Sequence, residues 1–330
     1  MAETPTVTWN KELKLAISDI DETIAEVYSP VEPAMAEELN SFMEDGGKLF
    51  MVSGCGLQRI LDGITKFIKP PLRRSILISH CSGAEVWGFN ETGELRDKPF
   101  YSIYEDRFTP EMKKVWREKV AQLLEEFDLR PHDVRPKVEF IETIGRDPFD
   151  IMFDDRGPQI TLEMINAYDL SDEQLEKVGR EVPITHGQRD LRVPILERAE
   201  QLFAEANIPI TPRLAGTFAL DFAVEGVSKT TSVKYVLDNP EVLASIGLSP
   251  EDVKNPAHLE VWGDKFSVIR GGTDRHMSEA LPPEVRSLDF REEDPAEFLE
   301  GYNTVIWDGS QHLHYGLREY LHSRHTAAMS

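Results

Sequence analysis

Apolar and polar positions fall into blocks along this chain, and the block lengths predict its elements. Leu13 to Ile17 is a short apolar run suited to a buried strand, and it stops on two acids one residue apart, Asp19 and Asp21. From Val31 to Glu44 apolar residues recur every three to four positions, which predicts a helix. "KLFMVSG" is a second buried-strand run and breaks into Ser53-Gly54-Cys55-Gly56. "LQRILDGITKFI" again has helical spacing, and "SILISHCSGAEVWG" reads as a strand entering a turn. Strand, helix, strand, helix, strand is the pattern of a parallel α/β sheet.

The texture changes between Arg107 and Glu225. A long charged helix, "TPEMKKVWREKVAQLLEEF", precedes three strand-like segments, "KVEFIET", "FDIMFDD" and "QITLEMI". A further helix, "LRVPILERAEQLFAEA", leads to a last strand, "TFALDFAV". Helices grouped with antiparallel strands predict a separate α+β lobe. The earlier alternation resumes with "TSVKYVL", "AHLEVWGD" and "YNTVIWDG", so residues 107–225 are expected as an insertion in one core domain made of residues 13–106 and 226–330. There is no internal repeat and no low-complexity tract.

This arrangement has a chemical consequence. Residues just beyond the carboxyl ends of parallel strands converge on one crevice. Asp19 with Asp21, Ser53, and Gly263-Asp264 each follow an apolar run of that kind, and Lys229 opens the helical pattern "SKTTSVKYVL". Carboxylates gathered so closely repel one another, and a divalent cation resolves the repulsion; hard oxygen ligands select Mg2+. The set therefore reads as a phosphoryl-transfer site, in which a carboxylate attacks phosphorus and the hydroxyl, the lysine and the metal hold the charged oxygens.

In order and spacing, "DIDET", "VSG", "GVSK" and "GDKFSVIRGGTD" resemble the four motifs of the haloacid dehalogenase-like superfamily of phosphotransferases, over roughly Leu13 to Leu281. The resemblance implies a Rossmann-like core, with Asp19 as nucleophile and Asp21 as general acid and then base. It implies that Ser53 and the Gly54 backbone bind the phosphoryl group and that Lys229 neutralises charge. Asp264 and Asp274 would hold or orient Mg2+ with Asp19 and the Asp21 carbonyl, either of the two being the direct ligand. Thr273 stands where the family has an asparagine.

The insertion sits where the superfamily carries its α+β cap of C2 type, and the chain looks most like the branch of sugar-phosphate phosphatases and phosphomannomutases. On that pattern Arg156 is a cap arginine that meets a phosphosugar, while the position of a second falls on Ala167. Ala219 and Asp221 stand where phosphomannomutases have a serine and an aspartate, so one sugar contact is missing. A cap with one grip implies hydrolysis of a small phosphorylated substrate; a hexose phosphomutase and a non-catalytic phosphosugar-binding protein are the rival readings. Arg192 is a further candidate for substrate binding, ahead of Arg189, and Thr161 shares a strand face with Gln159. His276 reads as a loop residue beside Asp274, and Cys55 as packing against the following helix.

Charge and composition narrow the partners. With 59 acidic against 36 basic residues, the net charge of −23 opposes nucleic acid and anionic membrane surfaces. Two cysteines make neither a disulfide framework nor a zinc spacing, and no segment has the apolar length of a membrane span or the layout of a signal peptide. A cytoplasmic enzyme, monomeric or homodimeric, is the expectation. His312, His314, His322 and His325 have no metal-binding spacing among themselves and read as a solvated helix end.

Overall fold

The computed structural model describes residues 6–185, 187–215, 217–269, 272–291 and 297–327. Its contacts divide the chain into two compact units, Ile103–Gly226 and the flanking Met1–Ser102 with Val227–Ser330.

The flanking segments build an eight-stranded sheet. Its strand order is Thr304–Ile306, Arg286–Asp289, Leu259–Gly263, Leu15–Ser18, Lys48–Val52, Ile76–His80, Glu85–Gly88 and Tyr101–Ser102. The strands from Thr304–Ile306 to Ile76–His80 run parallel, and the last two pair antiparallel. Leu15, Ile17, Phe50, Val52, Leu77 and Val261 face one apolar layer, closed by Val233, Val236 and Leu243 from the helices Lys229–Asp238 and Pro240–Ser245. The alternate residues Ala16, Leu49, Met51, Ile76, Ile78 and Trp262 face the other, closed by Leu39 and Phe42 of the helix Pro33–Glu44 and by Leu317 and Tyr320 of the helix Leu313–Ala327. Two dry faces are why these strands read as unbroken apolar runs. Each fully buried Leu, Ile or Phe there contributes about 1.5–3 kcal/mol. Because the central strands are parallel, Asp19, Ser53 and Asp264 all emerge at one edge.

The inserted unit holds a five-stranded sheet in the order Ile210–Ala215, Ala219–Val224, Gln159–Glu163, Asp150–Asp155 and Arg130–His132, antiparallel except for the last pair. Helices Pro110–Glu126 and Arg192–Glu205 pack together beside it. Phe203 of the second meets Phe222 edge to face at 5.3 Å.

Two expectations need correction. "KVEFIET" is not a strand: Lys137–Thr143 is a helix opened by Pro136. Its apolar residues Phe140, Ile141 and Ile144 share one helical face and pack on Met152 and Ile165, while Val138 is exposed, so alternation was the wrong period. "LQRILDGITKFI" is a helix, Leu57–Gly63, followed by a separate 3-10 turn, Thr65–Phe67. Among the described residues no helix is long and apolar enough to cross a membrane.

Candidate active site

At the carboxyl edge of the larger sheet four charged groups from four chain segments meet. Lys229 Nζ donates to Asp19 Oδ1 at 2.7 Å and to Asp274 Oδ1 at 2.8 Å. The second oxygen of Asp274 accepts the backbone N–H groups of Asp264 and Lys265, both at 3.0 Å. Gly263 permits that approach, since a Cβ there would lie 2.6 Å from Asp274 Oδ2. Asp264 is different: Arg291 Nη2 donates to its Oδ2 at 3.0 Å, but its buried Oδ1 has no hydrogen-bond partner among the described residues. Ser53 is buried beside this edge and its Oγ accepts the N–H of Cys55 at 3.1 Å. Of the seven sequence-predicted core positions, Asp19, Asp21, Ser53, Gly54 and Asp264 follow three adjoining parallel strands, while Lys229 opens a helix and Asp274 precedes one; Arg270 and Gly271 of the fourth motif fall outside the described residues.

Burial and mutual repulsion shift the carboxyl groups of the cluster. Burial, then the neighbouring Asp274, pushes Asp19 up to about 8 against the pull of Lys229, and burial with Asp274 pushes Asp264 up to about 7. Burial opposes the charge of Lys229, yet Asp19 and Asp274 hold its pKa above the ordinary value. Lys229 lies between Asp19 and Asp274, and Arg291 reaches Asp264, so the three buried carboxyl groups are only partly compensated. Oxygens of Asp19, Asp264 and Asp274 lie within 4.8 Å of one another, the spread a single divalent ion would bridge. The sequence left Asp264 and Asp274 as alternatives for the direct ligand. Asp274 has both oxygens engaged, by Lys229 and by backbone N–H groups, whereas Oδ1 of Asp264 has no hydrogen-bond partner among the described residues.

Asp21 sits in a second constellation, which sequence reading missed. Its Oδ1 accepts from Arg59 Nη2 at 2.7 Å and its Oδ2 from the Cys55 thiol at 2.9 Å. Arg59 also donates through Nη1 to Cys55 Sγ at 2.9 Å. Cys55 is buried as expected, but it bonds to the acid instead of merely packing.

In the inserted unit the cap candidates form a polar row. Asp154, Thr161, Asp221 and Arg213 occupy one register across four strands. Thr161 donates to Asp221 Oδ1 at 2.7 Å and accepts from Gln159 Nε2 at 3.0 Å, while Gln159 Oε1 is buried without a partner. Arg156 Nε donates to Asp154 Oδ2 at 2.6 Å, and Arg213 lies 3.6 Å from Asp221. The neighbouring Phe222 points to the other face, toward Phe203. Arg192 does not belong to this row. It is buried, with Nε and Nη2 donating to Asp190 at 3.0 and 2.8 Å and further bonds to Ala219 and Tyr168. These bonds tie Arg192 to its own unit. The exposed Arg189 lies on the two-residue strand Gln188–Arg189.

His276 pairs with Glu279 at 2.8 Å on a short surface helix. The C-terminal histidines differ from expectation: His322 and His325 converge on Glu38 at 2.7 and 3.2 Å, a partner 284 and 287 residues away that no local spacing reveals. Arg324 stands 3.6 Å from the same carboxylate and already supplies positive charge.

No family model and no curated protein matches this sequence. Solved structures do match in fold. The structure of a trehalose-6-phosphate phosphatase related protein is similar at a TM-score of 0.52 and 12% identity, over 96% of this chain and all of its own. That of a haloacid dehalogenase-like hydrolase from Bacteroides thetaiotaomicron is similar at 0.51 and 13%, over 93% of this chain and 99% of its own. The expected α/β architecture is thereby borne out.

Proposed function

We propose that this chain, which has the fold of the haloacid dehalogenase-like phosphatases, is a Mg2+-dependent phosphomonoesterase acting through an aspartyl-phosphate. The observation that carries the reading is the buried cluster of Asp19, Asp264 and Asp274 around Lys229, with Asp264 Oδ1 unpartnered. Asp19, Asp264 and the Asp21 carbonyl would hold Mg2+, with Asp274 orienting the set. When bound, the ion supplies Lewis-acid polarisation of the phosphoryl oxygens.

With Oδ1 held by Lys229, Asp19 attacks phosphorus through Oδ2. As that O–P bond forms, the bond from phosphorus to the leaving oxygen breaks, and the Asp21 carboxyl gives its proton to that oxygen. Water then forms a new bond to phosphorus and gives a proton to Asp21, and the aspartyl-phosphate bond breaks. Ser53, the Gly54 backbone and Lys229 bind the phosphoryl oxygens throughout.

A small phosphorylated metabolite of the sugar-phosphate class is the proposed substrate, in the cytoplasm. Its support is the polar row of a C2-type cap, with Arg156, Thr161 and Asp221, and the description of one structural neighbour as related to a trehalose-6-phosphate phosphatase. Ala167, where a mutase would need a second arginine, is fully buried, which favours water over a sugar hydroxyl as phosphoryl acceptor.

Mg2+-dependent release of phosphate from a panel of sugar phosphates tests the proposal. Asp19→Asn is expected to lower kcat by at least about 10³-fold, as loss of a nucleophile does. Full turnover by that variant would refute the mechanism. Isomerisation of mannose 1-phosphate without free phosphate, in the presence of a bisphosphate activator, would instead establish the mutase.

A further inference from the structure

The proposed acid Asp21 is not free to rotate. A guanidinium from the next helix holds one of its oxygens and a thiol holds the other. We infer that Arg59 is a positioning residue for the proton transfer at Asp21: it keeps hold of Oδ1 while Oδ2 exchanges the Cys55 thiol for the leaving-group oxygen. This inference rests on the phosphatase reading and assigns one side chain within it.

The geometry supports that division of labour. Arg59 lies in the first turn of the helix Leu57–Gly63 and Cys55 just before that helix, so Nη2 reaches the carboxylate while Nη1 reaches the sulfur at 2.9 Å. That two-pronged contact needs the planar fork of arginine, which a lysine ammonium cannot copy. The N–H of a charged guanidinium is a stronger donor to a carboxyl oxygen than a thiol, a weak donor. When a competing oxygen arrives, the thiol contact is therefore the one to yield.

Arg59 is itself held. Its guanidinium lies 4.5 Å above the ring of Tyr28, and only 29% of its side chain is exposed. Tyr28 occupies the left-handed region at φ 61°, as does Glu22 at φ 64°, so the loop that carries Asp21 adopts an unfavourable backbone at two non-glycine positions. Strain of that kind persists only where surrounding contacts enforce it. Cys55 also donates its backbone N–H to Ser53 Oγ, which links the clamp to the phosphate-binding serine.

The test uses the full chain with Mg2+ and two esters. p-Nitrophenyl phosphate has a leaving group that departs without protonation, whereas glucose 6-phosphate releases an alkoxide that requires the proton. The measured quantity is the ratio of kcat/KM on the alkyl ester to that on the aryl ester, in which any change in the folded fraction cancels. Arg59→Met is expected to lower this ratio by about 10- to 100-fold, within the span of general-acid contributions, and Arg59→Lys to recover part of it. A ratio unchanged in Arg59→Met overturns the inference, because a merely structural or substrate-binding role depresses both esters alike. If wild type turns over neither ester, or Asp19→Asn matches it, the phosphatase reading falls and this inference with it. Normal behaviour of wild type and Asp19→Asn with an unchanged ratio removes Arg59 alone.

Discussion

Glu260 and Asp264 belong to one stretch of chain, the first inside the strand Leu259–Gly263 and the second just past its end, and both are fully buried carboxylates. Their surroundings differ in one respect. Glu260 receives Arg286 and Tyr320 on Oε1, and Trp262 at 2.9 Å and Tyr320 at 3.0 Å on Oε2. Asp264 has one oxygen on Arg291 and the other on no hydrogen-bond partner among the described residues, with Asp274 and Asp19 close by. The first network is complete and serves the fold. The second leaves one buried oxygen without a hydrogen-bond partner, which is the feature on which the metal-binding proposal rests.

Breaking each network is expected to fail in a different currency of measurement. Glu260→Ala leaves Arg286 beside Tyr320 without its carboxylate and should cost about 3 kcal/mol of stability, read from the urea midpoint, with turnover per folded molecule retained. Asp264→Asn should leave stability near wild type but weaken Mg2+ binding by at least about 10- to 100-fold, read by calorimetry. Equal Mg2+ affinity in that variant would show that Asp264 is not the ligand. The smallest effect is the pH dependence. The folded pKa of Asp264 lies near 7, above its ordinary 3.8, so its contribution is most favourable at low pH and is lost as pH rises through about 7. Metal-free wild type should therefore lose melting temperature relative to Asp264→Asn between pH 5 and 8, by about a few degrees. Added Mg2+ should raise the melting temperature more at pH 8 than at pH 5, and a shift independent of pH would contradict the assignment.

Legibility in the sequence followed the range of the interaction. Asp19, Ser53 and Asp264 could be found because each ends an apolar run whose period reports two buried faces. Lys229 could be found because it opens a helix. Arg59 carried no such mark: at position 59 it reads as one charge on an amphipathic helix, and only the approach of the loop after Leu15–Ser18 turns it toward Asp21. Arg213 and the pairing of His322 and His325 with Glu38 were hidden for the same reason, since their partners lie on other elements. The helix Lys137–Thr143 was misread because seven residues supply too few turns to separate a period of two from one of 3.6.

The chain alone determined which strands are dry on both faces, their likeness in order to a phosphotransferase core, and the acids waiting at their ends. Those properties are local, fixed by side-chain polarity at successive positions. Tertiary structure decided which oxygen has no partner among the described residues, which arginine reaches Asp21 and which one is buried against Asp190. Hydrogen-bond satisfaction depends on atoms brought together from distant segments, and no periodicity in a single strand records it.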